Sequence, residues 1–168
     1  MSEMIDLMTS KIFLETCISI EELCADLYHF YSRAYEETPE ASRLWKKTAL
    51  EEEDHRHQFM LALRIMNEAE FKVSGNHLIK AYSIQSKLQY LVNQVRHSTP
   101  ELLTAVTKAI EMEDALADLH AHISLNFNDN NMQNLFRALS EADRDHLSAL
   151  KQYRTILYLP QSDMSENQ

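Results

Sequence analysis

Apolar positions recur along this chain at alternating three- and four-residue intervals, the period that lines one face of an α-helix. Four long stretches carry the pattern. The first runs through Leu14, Cys17, Glu21, Cys24, Tyr28, Tyr31 and Tyr35, and the second through Trp45, Thr48, Glu52, His55, Phe59, Ala62 and Met66. The third is Val106, Ala109, Glu113, Leu116, His120, Ile123 and Phe127, and the fourth is Phe136, Leu139, Asp143, His146, Leu150, Tyr153 and Leu157. Each is a stripe of the bundle-seam type, and each is interrupted near its middle by an acidic residue. A carboxylate is costly to bury alone, so its repetition on four seams demands a partner.

Start and stop signals divide the stripes. Thr38-Pro39-Glu40 offers a cap, a proline for the first turn and an acid at the positive end of the helix dipole, which predicts the start of the second helix and a short turn between antiparallel neighbours. Ser98-Thr99-Pro100-Glu101 repeats that signal ahead of the third helix. Asn126 and the polar residues 128–131 mark its end and the cap of a fourth helix running to about Leu157. Between the second and third helices lie Ser74-Gly75-Asn76 and a weaker amphipathic pattern through Leu78, Ile84, Leu88, Tyr90, Leu91 and Val95. This segment predicts a loop plus a short helix, forming a long crossover.

Composition agrees with an all-α chain. One Gly and three Pro in 168 residues leave little room for the turns of a β or α/β fold, and 45% hydrophobic residues suffice for one core. The expectation is a single four-helix bundle domain over residues 1–160, two helical hairpins joined by the crossover, with a polar, disordered tail over 161–168. A net charge of −10 argues against a nucleic-acid backbone or an anionic membrane surface as partner, and it attracts cations. No run approaches the roughly 18 apolar residues of a membrane span. The first residues also lack the basic-then-apolar order of a secretory signal, so the expected location is cytoplasmic. Cys17 and Cys24, two helical turns apart, are about 10 Å from each other along one helix, too far for a disulfide, and read as core.

Glu52 and His55 stand three residues apart, so on a helix their side chains reach the same point in space. Carboxylate oxygen plus imidazole suits iron, manganese or zinc better than calcium or magnesium. The chain then repeats itself. Ile20 to Tyr28 aligns with Met112 to His120 at an offset of 92, and Glu52 with His55 aligns with Asp143 and His146 at an offset of 91. A pseudo-two-fold packing of two such hairpins brings all four seams onto one axis. The flanking acids Glu22, Glu51, Glu53, Asp54, Glu111, Asp114, Glu141 and Asp145 fall off the seams and read as solvated helix faces.

A lone Glu, a Glu-x-x-His, a second lone Glu and a second carboxylate-x-x-His, on four helices with a long link between the middle pair, resembles the ferritin-like superfamily of dinuclear metal carboxylate proteins. Within it the segments around Ile18 to Tyr28, Ala49 to His55, Ala109 to His120 and Leu139 to Leu147 are most similar to the rubrerythrin group. The resemblance implies a ferritin-like bundle in which Glu21 and Glu113 are terminal ligands, Glu52 and Asp143 bridge two metals, and His55 and His146 each bind one. It implies two iron ions, with manganese or zinc as alternatives, an external electron donor and a homodimer. Asp143 stands where the family carries Glu, Leu116 where rubrerythrins proper carry a further carboxylate, and the segment Gln161 to Gln168 has none of the cysteines of a rubredoxin-like tail. Tyr28 and His120, equivalent in the repeat, either hydrogen-bond ligand carboxylates or are plain core residues. The function implied is a di-iron oxidoreductase acting on peroxide or O₂. Iron binding or storage without turnover and a metal-free helical interaction protein are the alternatives.

Overall fold

The computed structural model describes residues 2–66, 72–125 and 129–159, with side chains from residue 8 onward. Five helices follow one another: α1 (Ser2–Ala34), α2 (Pro39–Ile65), α3 (Gly75–His97), α4 (Leu102–Ser124) and α5 (Asn130–Tyr158). No strand is present among the described residues. Helices α1 and α2 form one antiparallel hairpin and α4 and α5 the other; α3 crosses between them against α1 and α4, while α2 meets α5. The all-α ferritin-like bundle follows directly from the four seams. Phe127 of the third stripe and the polar tail lie outside the described residues.

The helix starts differ in detail from the sequence signals. Thr38 does occupy the cap position of α2 with Pro39 behind it, but its side chain makes no capping hydrogen bond. Ahead of α4 the proline lies outside the helix altogether, and Glu101 holds the cap position. Helix α5 begins with a true side-chain cap: Asp129 Oδ1 accepts from the amides of Asn131 at 2.7 Å and Met132 at 3.4 Å. The crossover helix α3 is also longer than its pattern suggests, 23 residues, equal to α4. It buries only the narrow line Ala81, Ile84, Leu88, Val92 and Val95, while Tyr90 is exposed. A helix that rests on the bundle by one thin stripe carries a weak periodic signal whatever its length.

Packing locks the hairpins around an aromatic cluster. Trp45 of α2 lies between two α1 rings, with centroids 5.4 Å from Tyr28 and 5.0 Å from Tyr31, and all three are fully buried. Tyr35 donates its hydroxyl to the carbonyl of Pro100 at 2.7 Å, tying the α1–α2 turn to the link before α4. Leu88, fully buried, holds α3 in place. Leu88→Ala is expected to cost about 2–5 kcal/mol in a urea unfolding curve. The buried acids Glu21, Glu52 and Glu113 should be undisturbed by it, because none of them lies on α3.

Candidate metal centre

The four interrupted seams converge. Glu21 from α1, Glu52 from α2, Glu113 from α4 and Asp143 from α5 are all fully buried, and His55 and His146 are nearly so. Two groups of three ligand atoms lie within 4.8 Å of one another, Glu21 with Glu52 and His55, and Glu52 with Glu113 and His146. Glu52 belongs to both. Its Oε2 is 3.0 Å from His55 Nδ1, and its Oε1 is 3.1 Å from His146 Nδ1. Glu21 Oε2 is 3.6 Å from His55 Nδ1 and Glu113 Oε2 is 3.6 Å from His146 Nδ1. The imidazole centroids are 5.7 Å apart, one on each side of the shared carboxylate.

Asp143 joins neither group. Its Oδ2 instead accepts from His120 Nδ1 at 2.6 Å, and the His120 ring is held between Phe59 and Phe136. The structure therefore brings together five of the six residues expected as ligands and sets the sixth on a histidine of α4. The aspartate is one methylene shorter than glutamate, which shortens its reach from α5 toward the shared position. Tyr28, the repeat counterpart of His120, donates its hydroxyl to Glu113 Oε1 at 2.5 Å. Both expected supporting residues thus bond a seam carboxylate. Tyr28→Phe keeps the ring stack on Trp45 and removes only that bond, so metal affinity is expected to fall about tenfold in a calorimetric titration.

Electrostatics record the cost of this burial. Burial drives Glu21 well above the ordinary carboxylate range, against the pull of His55. Burial and the charge of Glu52 push Glu113 up to about 7. Burial would raise Glu52 too, but His146 and His55 on either side win and hold it well below its ordinary value. For the imidazoles burial acts downward, and the facing carboxylates overcome it: Glu21 and Glu52 lift His55 to about 11, and Glu113 and Glu52 lift His146 to about 11. The bare site is a knot of shared protons around carboxylates, where divalent cations would stand in for those protons.

Whether a metal pair fits can be judged from the atoms left over. Among the described residues, both oxygens of Glu21, Oε1 of Glu52, Oε2 of Glu113 and Nδ1 of His146 are buried and make no well-formed hydrogen bond, the last three being one another's near neighbours. Unpartnered atoms of this kind are rare in folded proteins, and here they are clustered and are all hard or borderline donors suited to iron, manganese or zinc. The residues fit the group.

One contributor escaped the sequence reading. Glu51, placed there on a solvated face, is partly buried and its Oε2 accepts from His146 Nε2 at 2.8 Å across the α2–α5 contact. Nothing in the local spacing marks it, because the bond runs from one helix to another; Ala142 of the facing helix lines the same cavity. Between α2 and α5 a cavity of about 180 Å³ is lined by Glu51, His55, Ala142 and His146. It is large enough for a few waters or a small oxidant, since one water takes about 30 Å³.

These features define a helical-bundle protein built around a carboxylate–histidine cluster with two ligand groups on one shared glutamate. A family model described as Rubrerythrin matches residues 13–154, and the chain belongs to that family of ferritin-like di-iron carboxylate proteins. No curated protein and no solved structure matches the chain. No described helix is long and apolar enough to cross a membrane.

Proposed function

We propose that this protein holds two metal ions, iron above all, and reduces a small oxidant such as O₂ or a peroxide. The observation that carries this reading is the shared Glu52, flanked by two imidazoles and two further buried carboxylates whose facing atoms have no other partner. Glu52 would bridge; Glu21 and His55 would complete one position, Glu113 and His146 the other. When bound, an iron pair supplies two electrons at one place, which a two-electron oxidant requires.

The chain's own residues set the conditions. Tyr28 fixes Glu113 and Glu51 fixes His146, so these ligands lose little freedom on binding. Phe59 and Phe136, both fully buried, pack on each other and on His120, while the α2–α5 cavity would admit a small molecule to His55 and His146. Glu21, Glu52, Glu113 and Asp143 together carry the charge that balances two divalent ions. An external electron donor and a homodimer complete the reading on the strength of the family.

Elemental analysis of protein purified without chelators tests it, followed by O₂ and peroxide consumption with a chemical reductant. About two equivalents of iron and turnover of either oxidant support the proposal. Two equivalents with no turnover favour a metal-holding protein, and many more than two favour storage. Absence of any metal, with none taken up, removes both.

A further inference from the structure

The two halves of the site are related by the internal repeat, but their supports are not. Position 51 on α2 corresponds to position 142 on α5 at the offset of 91 that pairs Glu52 with Asp143. Glu51 anchors the outer nitrogen of His146 at 2.8 Å. Its counterpart Ala142 has no polar atom in its side chain, although it lines the same cavity as His55. Among the described residues, therefore, the outer nitrogen of His55 has no carboxylate anchor like the one Glu51 gives His146. A second difference points the same way. Tyr28 bonds Glu113 at 2.5 Å, and by symmetry His120 would bond Glu21. It does not: His120 Nε2 is 3.9 Å from Glu21 Oε1, because its Nδ1 is engaged with Asp143 at 2.6 Å. Both oxygens of Glu21 are left without a hydrogen bond.

We infer that the two metal positions are unequal: the position made by Glu52, Glu113 and His146 fills first and tightly, and the position made by Glu21, Glu52 and His55 fills second and releases its ion readily. This rests on the metal-binding reading above. Supporting residues matter because a ligand already held in its binding rotamer pays less ordering cost when the ion arrives, and removing such a support typically lowers affinity 10- to 100-fold. The consequence is functional. A chain with one ion cannot deliver two electrons together, so the supply of the second ion decides what fraction of the protein is competent, and the one-ion form is a defined state.

Zn²⁺, which is redox-silent and diamagnetic, is the probe. Metal-free protein is titrated by calorimetry and, in parallel, by NMR of the histidine side chains. The expected result is two steps at least about tenfold apart in affinity, with the His146 imidazole shifting during the first equivalent and His55 during the second. Glu51→Ala should weaken the first step about 10- to 100-fold, with Glu51→Gln recovering part of it, and Ala142→Glu should tighten the second. Glu51 is partly exposed, and the melting temperature of metal-free Glu51→Ala confirms that the fold is kept. Two equal steps, or His55 shifting first, would overturn the inference while leaving a two-metal site intact. No Zn²⁺ binding at all would overturn the metal-site reading itself.

Discussion

Glu52→Gln is expected to abolish both metal positions at once, whereas His55→Ala should lose one. Glu52 is the only residue in both ligand groups, and glutamine keeps its size but cannot bridge as an anion. Metal analysis should fall from about two equivalents to well under one. The same substitution should weaken the metal-free protein. Glu52 is ionised there, between two imidazoles held protonated up to about 11, and it is fully buried. Removing the central anion of such a buried cluster leaves charges uncompensated, which costs about 3–5 kcal/mol. Denaturant unfolding of chelated parent and variant measures this, and retention of two ions by Glu52→Gln would rule out the shared-carboxylate site.

Metal loading should stabilise the bundle more as pH rises. Glu113 sits at about 7 in the fold against an ordinary 4.5, and Glu21 is raised as well. An acid raised on folding contributes stability below its ordinary value and loses it as pH climbs through the folded one, here between about 4.5 and 7 for Glu113. His55 and His146 are raised from 6.5 to about 11, so their contribution is complete below 6.5 and fades toward 11. Glu52 runs the other way, but its loss falls in strong acid. From mildly acidic pH upward, therefore, the metal-free protein weakens step by step. Over the same range metal ions compete with fewer protons and bind more tightly. With free metal at about a thousand times its dissociation constant, the gain is about 4 kcal/mol. Thermal melts with Zn²⁺ or with chelator, at pH 5 through 8, should show the gap between the two widening with pH. A gap that narrows would contradict the proton knot.

Much of this protein could be read along the chain. A helix repeats its faces every 3.6 residues, so the seams through Cys17 and Tyr28, Trp45 and Phe59, Ala109 and Leu116, and Leu139 and Leu150 disclose four helices and their buried sides. An acid in mid-seam is a strong local anomaly, and the offsets of 92 and 91 show that the anomalies belong to one arrangement. Fold class, family and the six residues expected as ligands follow from this one-dimensional information, because each sits on a seam and the pairs Glu52/His55 and Asp143/His146 lie within single helices; that five of the six come together is seen only in the assembled bundle.

What crosses from helix to helix was not written there. The reach of Asp143, its capture by His120, the double use of Glu52 and the bond from Glu51 to His146 depend on how α2, α4 and α5 are rotated and spaced. Differences of an ångström or one methylene decide whether a carboxylate meets a metal position, a histidine or solvent. Periodicity tells which residues face inward; only close packing of the assembled bundle decides whom they meet, and so which half of the centre is braced and which is left loose.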